Sequence, residues 1–254
     1  GTCGFMVVVN DSKEFIDLVC NDAYTTNSCN DFISIAVVLT GGQVLRYLRD
    51  NFCQMEAEMA KQMIDMDVYD IMNQEAEEVP PGSEGLIVLP YLMGERTVLW
   101  DAYARGTVFG LSMHHTKGHL IRAFMEGVAY ALYDNYRLML EKGIRANAPI
   151  ILNEGGAKSK LWRRIITDVF NVPTAFVKNR VGAPYGDAIL AGVSVGIFKD
   201  FTIAKEKVNY IDYMEPDVKA HDCYMEFFEI YRNLYNHLKG DYEKLYWVTK
   251  KYEK

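Results

Sequence analysis

The loop from Gly94 to Gly106 reads GERTVLWDAYARG, and it is the most specific string in the chain. It lies between two short apolar runs, Leu86–Leu89 and Thr107–Leu111. Short apolar runs bounded by turn residues are typical of buried strands. We therefore expect a long polar and aromatic loop, Pro90–Arg105, that joins two strands.

The clearest helix of the chain follows this loop. Thr116 is a suitable N-cap residue, and Gly143 stands where a helix-ending glycine is expected. Between them, apolar residues recur four positions apart, as on one helix face: Leu120, Phe124, Val128, Leu132, Tyr136 and Leu140. Gly127 costs such a helix about 1 kcal/mol relative to Ala, and we expect close packing against a sheet to explain it.

Strands come first along the chain, and strands then alternate with helices. This order predicts an α/β fold, a mixed sheet with helices packed on it, in one domain spanning 1–254. The other predicted strands are Phe5–Asn10, Phe32–Leu39, Ile150–Leu152 and Thr174–Val177. The other predicted helices follow Gly42, occupy parts of 54–80, and then span Lys158–Phe170, Gly186–Ile197 and Asp217 to Lys250.

Composition excludes several classes of partner. The net charge of -7 argues against a nucleic acid or an anionic membrane, and no stretch reaches the roughly 18 apolar residues of a membrane helix. The five cysteines are spread widely without a C-x-x-C pair. We expect reduced thiols, a cytoplasmic location and no zinc site.

Glycine turns are the candidate phosphate contacts. They are Gly1–Gly4, Gly41–Gly42 and Gly155–Gly156, each beside a predicted strand or helix. Such turns let backbone N–H groups approach an anion, and a helix starting there adds its positive end. None is a Walker A loop or a dinucleotide fingerprint. Taken singly, each pattern favours an ordinary tight turn, whereas the three together suggest a nucleotide site.

The loop at 94–106 resembles the G-E-R-T-P-x-x-D-x-x-A-R-G loop of the FGGY family of carbohydrate kinases. The signature that follows this loop in the family also fits, from Gly106 to Leu111 and, after a gap, from His119 to Glu126. Residues 155–163, GGAKSKLWR, resemble the family's adenosine motif, and residues 186–192, GDAILAG, its last strand-to-helix turn. The resemblance covers nearly the whole chain and is closest to the xylulokinase and gluconokinase group.

The resemblance implies a ribonuclease H-like (actin-like ATPase) fold and a set of ATP contacts. The implied ATP-binding residues are Gly1, Thr2, Gly42, Arg46, Gly155, Gly156, Ala157 and Lys160. Arg46 stands where some members carry Gln and is equally compatible with a solvated arginine on a helix face. For Lys160, a surface lysine is the default alternative. Phe5 is implied on the sugar side of the cleft, with a buried strand residue as the alternative.

Other polar and aromatic residues are expected to have structural roles. We expect Glu95 and Arg96 to form a buried ion pair, and Asp101 and Arg105 a second pair. Trp100 and Trp162 are expected in the core, and Asp187 as a cap of the helix starting at Gly186. Glu154 replaces a glycine common in the family.

The implied reaction is transfer of the ATP γ-phosphoryl group to a hydroxyl of a pentulose or aldonate, with Mg²⁺ neutralising the phosphates. In the family the base is an Asp upstream of the position of Thr2, in an N-terminal half that also supplies most sugar contacts. The chain opens on a glycine turn without an initiator Met. We therefore expect a C-terminal nucleotide-binding domain that lacks its N-terminal sugar-binding domain and is inactive alone.

Two alternatives stay open from the sequence. A free-standing, non-catalytic actin-like nucleotide-binding or interaction domain would also lack the base. A chaperone ATPase of the same fold is disfavoured by the GERT and GGAKS strings. A surface that faces a missing domain is expected to be apolar, which allows a homodimer.

Overall fold

The structure is a computed structural model. It describes residues 3–10, 20–24, 31–153, 155–177, 182–207 and 209–253. Gly1, Thr2 and Glu154 lie outside the described residues.

A three-stranded antiparallel sheet forms the N-terminal part of the fold. Its strands are β1 (Gly4–Asn10), β2 (Cys20–Tyr24) and β3 (Asp31–Val38), in the order β1-β3-β2. Met6 and Val8 point into the core, whereas Phe5, Val7 and Val9 are more than half exposed. This alternation is the period of two expected of a strand with one covered face.

Three helices and a short hairpin come next. The helices are α1 (Gln43–Phe52), α2 (Gln54–Ala60) and α3 (Val68–Glu77). The hairpin pairs β4 (Ile87–Leu89) with β5 (Thr107–Phe109), and its connection contains the long loop predicted at Pro90–Arg105.

The central helix α4 (Lys117–Glu141) organises the core. Thr116 and His119 form the capping box at its start, and Gly143 has a left-handed φ of 84° just after its end. At Gly127, a Cβ atom would lie 2.4 Å from the carbonyl oxygen of Val88. Only glycine allows this approach of helix to strand, so the packing expected from the sequence is confirmed.

The C-terminal part contains a second, mixed sheet of three strands. Its strands β6 (Ile150–Leu152), β7 (Thr174–Val177) and β8 (Tyr210–Met214) are joined in that order, the first pair parallel and the second antiparallel. The helices are α5 (Lys160–Phe170), α6 (Gly182–Ser194), α7 (Ile203–Lys207) and the long α8 (Val218–Tyr252). Tyrosines of α8 pack against α4 and the hairpin, for example Tyr231, whose hydroxyl lies 2.6 Å from that of Tyr91.

The start of α6 differs from the sequence prediction. The helix α6 begins at Gly182 rather than Gly186, so Asp187 lies inside it and does not cap it. Pro184 stands in the first turn, where a helix tolerates proline.

Within the described residues, no helix combines the length and apolar character needed to cross a bilayer.

Candidate functional site

The glycine turns meet at one cavity. It has a volume of about 520 Å³ and lies between β1, β6, α4 and α5. The predicted residues that line it are Phe5, Gly42, Gly155, Gly156 and Ala157. Gly4 and Gly41 line it as well. Turns that are distant in sequence are therefore brought to one place by the fold.

Glycine is required where the first two turns approach each other. A Cβ atom on Gly41 would lie 2.3 Å from the amide nitrogen of Gly4 and 2.7 Å from the carbonyl carbon of Cys3. Any side chain at this position would push apart the end of β3 and the start of β1. The helix α1 starts directly after Gly42, and its first N–H groups have no partner within the helix. Such a helix start is suited to an anion.

The third turn is held by the start of α5. Ser159 caps this helix, since its hydroxyl oxygen accepts a hydrogen bond from Trp162 N (3.0 Å) and its hydroxyl donates to Asn73 Oδ1 (2.7 Å). Trp162 is buried, and its indole N–H donates to Met125 O (2.9 Å). A Cβ atom on Gly156 would lie 3.0 Å from the indole ring. Trp162 is therefore both core, as predicted, and a wall of the cavity.

The other predicted contacts lie elsewhere. Arg46 and Lys160 are exposed on helices, and neither is among the residues that line the cavity. Their roles stay predictions.

Sequence reasoning missed three polar residues of the cavity, Arg145, Asn147 and Asn153. Arg145 is the charged residue among the described residues of the lining, and no described carboxylate belongs to that lining. The sequence signal that could have identified Arg145 is its positive charge in the connection between α4 and β6. Because the net charge of the chain is -7, this cation matters for any anionic ligand.

The loop at 94–106 is hydrogen bonded to the chain just before the glycine turn at Gly41–Gly42. Thr97 Oγ1 accepts a hydrogen bond from Val37 N (2.9 Å), and Glu95 Oε1 accepts one from Leu39 N (2.9 Å). Val37 lies near the end of β3 and Leu39 directly follows this strand, both beyond the part that pairs with β2. The loop thus continues the sheet edge up to the turn at Gly41–Gly42.

Burial changes the titration of Glu95. The side chain is almost fully buried, and loss of hydration raises its pKa from 4.5 to about 7. Hydrogen bonds from the amides of Leu39 and Arg96 oppose this rise. No described cation pairs with this carboxyl group, and two backbone donors alone leave a buried carboxyl group costly to ionise.

Both ion pairs predicted in this loop are wrong. The guanidinium of Arg96 lies 5.1 Å from the ring centre of Trp100, which is half exposed rather than in the core. Asp101 accepts hydrogen bonds from Tyr103 N (2.8 Å) and Tyr235 Oη (2.8 Å). Arg105 donates instead to the carbonyl oxygens of Ala102 and Ala104.

The signature on α4 is structural. Glu126 is buried and accepts hydrogen bonds from Gly82 N (3.1 Å), Ser83 Oγ (2.8 Å) and Arg122 Nε (2.9 Å). Arg122 also donates to Tyr224 Oη of α8 (2.9 Å). This network joins α4, the turn before β4 and α8. Desolvation of Glu126 raises its pKa, against the opposing effect of Arg122.

A resident metal site is not evident in the described part of the chain, since no group of three His, Cys, Asp or Glu side chains there is arranged to hold an ion. The thiols of Cys3, Cys53 and Cys223 are free.

Comparison with known proteins gives one consistent result. Residues 1–195 match the C-terminal domain of the FGGY family of carbohydrate kinases. The chain is 32% identical over 216 residues to a gluconokinase of Bacillus licheniformis, covering 85% of this chain and 42% of that protein. It is 34% identical over 209 residues to a xylulose kinase of Staphylococcus epidermidis, covering 82% and 40%.

Solved structures agree with the sequence comparison. A ligand-bound xylulose kinase of Lactobacillus acidophilus superimposes with a TM-score of 0.80 at 28% identity, over 96% of this chain and 47% of that one. A gluconate kinase of the same species gives 0.73 at 26% identity. The chain thus spans about half the length of the relatives it matches. The α/β, ribonuclease H-like (actin-like ATPase) fold expected from the sequence is confirmed.

Proposed function

This chain belongs to the FGGY family of carbohydrate kinases, and from that premise we propose that it is the nucleotide-binding domain of a sugar kinase. The whole protein transfers the γ-phosphoryl group of ATP to a hydroxyl of a xylulose- or gluconate-like sugar. The chain binds ATP, and an N-terminal domain of the same protein supplies the sugar site.

The observation that carries the proposal is the meeting of three glycine turns at one cavity. Backbone N–H groups and helix starts bind phosphate without needing a positively charged protein, which suits a chain of net charge -7. The contact of Gly41 with Gly4, where a Cβ atom has no room, keeps two of these turns packed against each other beside the cavity. ATP therefore fits the residues that are present.

Roles follow from position around this cradle. Gly42, at the start of α1, is suited to a phosphate oxygen, and Gly155, Gly156 and Ala157 are suited to the adenosine because they stand against the apolar wall of Trp162. Gly1 and Thr2 are proposed as further phosphate contacts from the family motif alone. Phe5 is proposed to face the sugar side.

The general base is proposed to come from the N-terminal domain. The described lining of the cavity includes no Asp or Glu, so a proton acceptor for the sugar hydroxyl is missing from that lining. When bound, Mg²⁺ would neutralise the phosphates; this ion is usually held chiefly by phosphate oxygens and water, with few protein ligands. The isolated chain is therefore expected to bind nucleotide without phosphorylating a sugar.

A titration of the 254-residue chain with Mg·ATP tests this function. Calorimetry gives the affinity. Gly156→Ala should weaken binding at least about fivefold, because its methyl group meets the indole ring and narrows the cavity by one methyl group. Gly240→Ala is the matched control, since a Cβ atom there meets nothing within 4 Å, and it should leave the affinity unchanged.

Turnover distinguishes the proposed roles. Xylulose or gluconate phosphorylation by the pure chain would contradict the assignment of the base to another domain. Absence of any nucleotide binding would contradict the proposal itself.

A further inference from the structure

A methionine-rich surface lies on helices α1 and α2 and in the turn after them, outside the lining of the cavity. Its large apolar side chains are between 46% and 91% exposed, and we call them the α2 face: Phe52, Met55, Met59, Met63 and Ile64. Methionine is unbranched and polarizable, so it adapts to irregular partners and is common on surfaces that bind other proteins. Single exposed apolar residues need no explanation, but a cluster of this kind marks an interaction site.

Carboxylates border the α2 face. Asp65 directly follows its last residue, and Asp67 and Asp70 form the capping box at the start of α3. The nearest lysine in the sequence, Lys61, is paired with Glu58 at 2.6 Å. The salt bridges of the described residues include none of the three aspartates, so this border is negative.

The end of the long helix α8 carries a second exposed apolar surface. Tyr242 is the last buried residue of this helix, and none from Glu243 to Glu253 is buried. Along that tail, three apolar residues recur three and four positions apart, as on one side of a helix. They are each more than half exposed, and we call them the tail face: Leu245, Val248 and Tyr252. None of them belongs to the hydrophobic core of the described residues, so a single chain leaves most of this face in water.

Two lysines border the tail face. Lys244 stands four positions before Val248 and Lys251 three positions after it, so both lie on the same side of the helix beside the apolar residues. Lys244 lies 3.0 Å from Asp241, but these side chains are 78% and 67% exposed, and such a pair contributes little. Lys251 is in no salt bridge of the described residues. This border of the tail face is therefore positive, opposite in sign to the border of the α2 face.

From these two complementary surfaces we propose that the chain forms a twofold dimer in which the tail face of each copy packs on the α2 face of the other. The cross pairing brings lysines beside unpaired carboxylates, an arrangement that selects one partner over another. An antiparallel pair of two tail faces would instead bring Lys244 and Lys251 of both copies together, and two α2 faces would bring their aspartates together. Like charges in such positions oppose association. Neither surface lines the cavity, so the dimer is independent of nucleotide binding.

A second copy is the occupant that the chain itself specifies. Helix α8 is continuous from Val218 to Tyr252 and is anchored in the core through Tyr224 and Tyr242. A tail fixed in this way cannot fold back onto the α2 face of its own chain. Every copy carries both surfaces, so reciprocal contacts close the assembly at two chains. Each dimer then forms the contact twice, which doubles the buried area toward the roughly 1,600 Å² of a standard interface.

Sedimentation velocity of the 254-residue chain without nucleotide tests the proposal. The chain should be dimeric at about 100 µM. Met59→Glu places a carboxylate in the α2 face, and Val248→Glu places one in the tail face. Each change should raise the dimer dissociation constant at least about tenfold, because the contact then buries a charge. Leu111→Glu is the matched control, since Leu111 is 69% exposed outside both faces, and this variant should dimerise like the wild type.

Mixing the two variants distinguishes the cross pairing from any self-pairing. A copy with Met59→Glu keeps its tail face, and a copy with Val248→Glu keeps its α2 face. A mixed dimer therefore retains one of its two contacts, whereas a dimer of either variant alone retains none. The equimolar mixture should associate at least about threefold more tightly than either variant by itself.

Several outcomes would overturn the proposal. One is a mixture that associates no better than its components, and another is a wild-type chain that stays monomeric. Loss of the dimer in only one of the two variants would also overturn it, because that result indicates a pairing of two tail faces or of two α2 faces. Circular dichroism checks that each variant is folded. If Met59→Glu prevents folding, Met55→Glu takes its place, since Met55 is 76% exposed on the same face.

Discussion

Replacing Glu95 by Gln should remove a pH dependence from the stability of the chain. Glu95 is buried at the end of β3, where its carboxylate accepts hydrogen bonds from two backbone amides. Its pKa is raised from 4.5 to about 7. The folded state therefore holds this proton over a pH range in which the unfolded state has lost it.

The sign and size follow from linkage between proton binding and folding. Because the folded chain binds more protons between the two pKa values, its free energy of unfolding falls as the pH rises through this range. With pKa values of 4.5 unfolded and about 7 folded, the contribution of Glu95 falls by about 2 kcal/mol between pH 5.5 and pH 8. Glutamine keeps one oxygen to accept both hydrogen bonds and does not titrate.

Urea unfolding at the two pH values measures the effect, followed by circular dichroism and tryptophan fluorescence. The difference between the wild-type chain and Glu95→Gln should change by about 2 kcal/mol in favour of the variant from pH 5.5 to pH 8. Glu243→Gln, an exposed carboxylate of α8, is the control and should follow the wild-type pH dependence. An equal pH dependence in wild type and Glu95→Gln would refute the reasoning.

Two further predictions concern the scaffold of the site. Gly41→Ala should lower the free energy of unfolding by at least about 2 kcal/mol, because its Cβ atom overlaps the backbone at Gly4. The control Gly240→Ala should raise this free energy by about 0.5–1 kcal/mol, because alanine favours the helix more than glycine does. Thermal and urea unfolding measure both variants, and equal effects would contradict the contact between Gly41 and Gly4. Glu126→Ala should lower the free energy of unfolding by about 3–5 kcal/mol, because it leaves the guanidinium of Arg122 buried without its carboxylate partner. If urea unfolding gives a decrease below about 1 kcal/mol, Glu126 is not ionised in the folded chain.

Local signals predicted the elements whose pattern lies within one segment. The helix α4 is an example, since its apolar period, the cap at Thr116 and the glycine at Gly143 all occur in the sequence that forms it. The start of α6 was misjudged because GAPYG reads as a turn, although proline is tolerated in a first helical turn. The strand β8 was not predicted, because its pairing with β7 depends on a partner more than 30 residues away.

Pairing of charged side chains was predicted from proximity in sequence, and this failed. Asp101 stands four residues before Arg105, yet its carboxylate binds Tyr235, which is 134 residues away. Glu95 binds the amide of Leu39, 56 residues away. Burial decides such contacts, because a buried carboxylate needs donors from whichever segment the fold brings beside it.

Only part of the candidate site could be predicted from the sequence. The glycine turns are visible in the sequence, but their meeting was expected from the resemblance to a family and not from composition. Arg145 was missed because nothing in its own segment marks it as part of a cavity.

Mapping of ADP by nuclear magnetic resonance tests the central claim most directly. Backbone amide shifts of the isotopically labelled 254-residue chain are followed as Mg·ADP is added. The account predicts concerted shift changes at the turns of Gly41–Gly42 and Gly155–Ala157 with a single affinity, and none at Gly240 on α8. Shift changes that leave either turn unaffected, or no changes at millimolar ADP, would contradict a nucleotide site built from these turns.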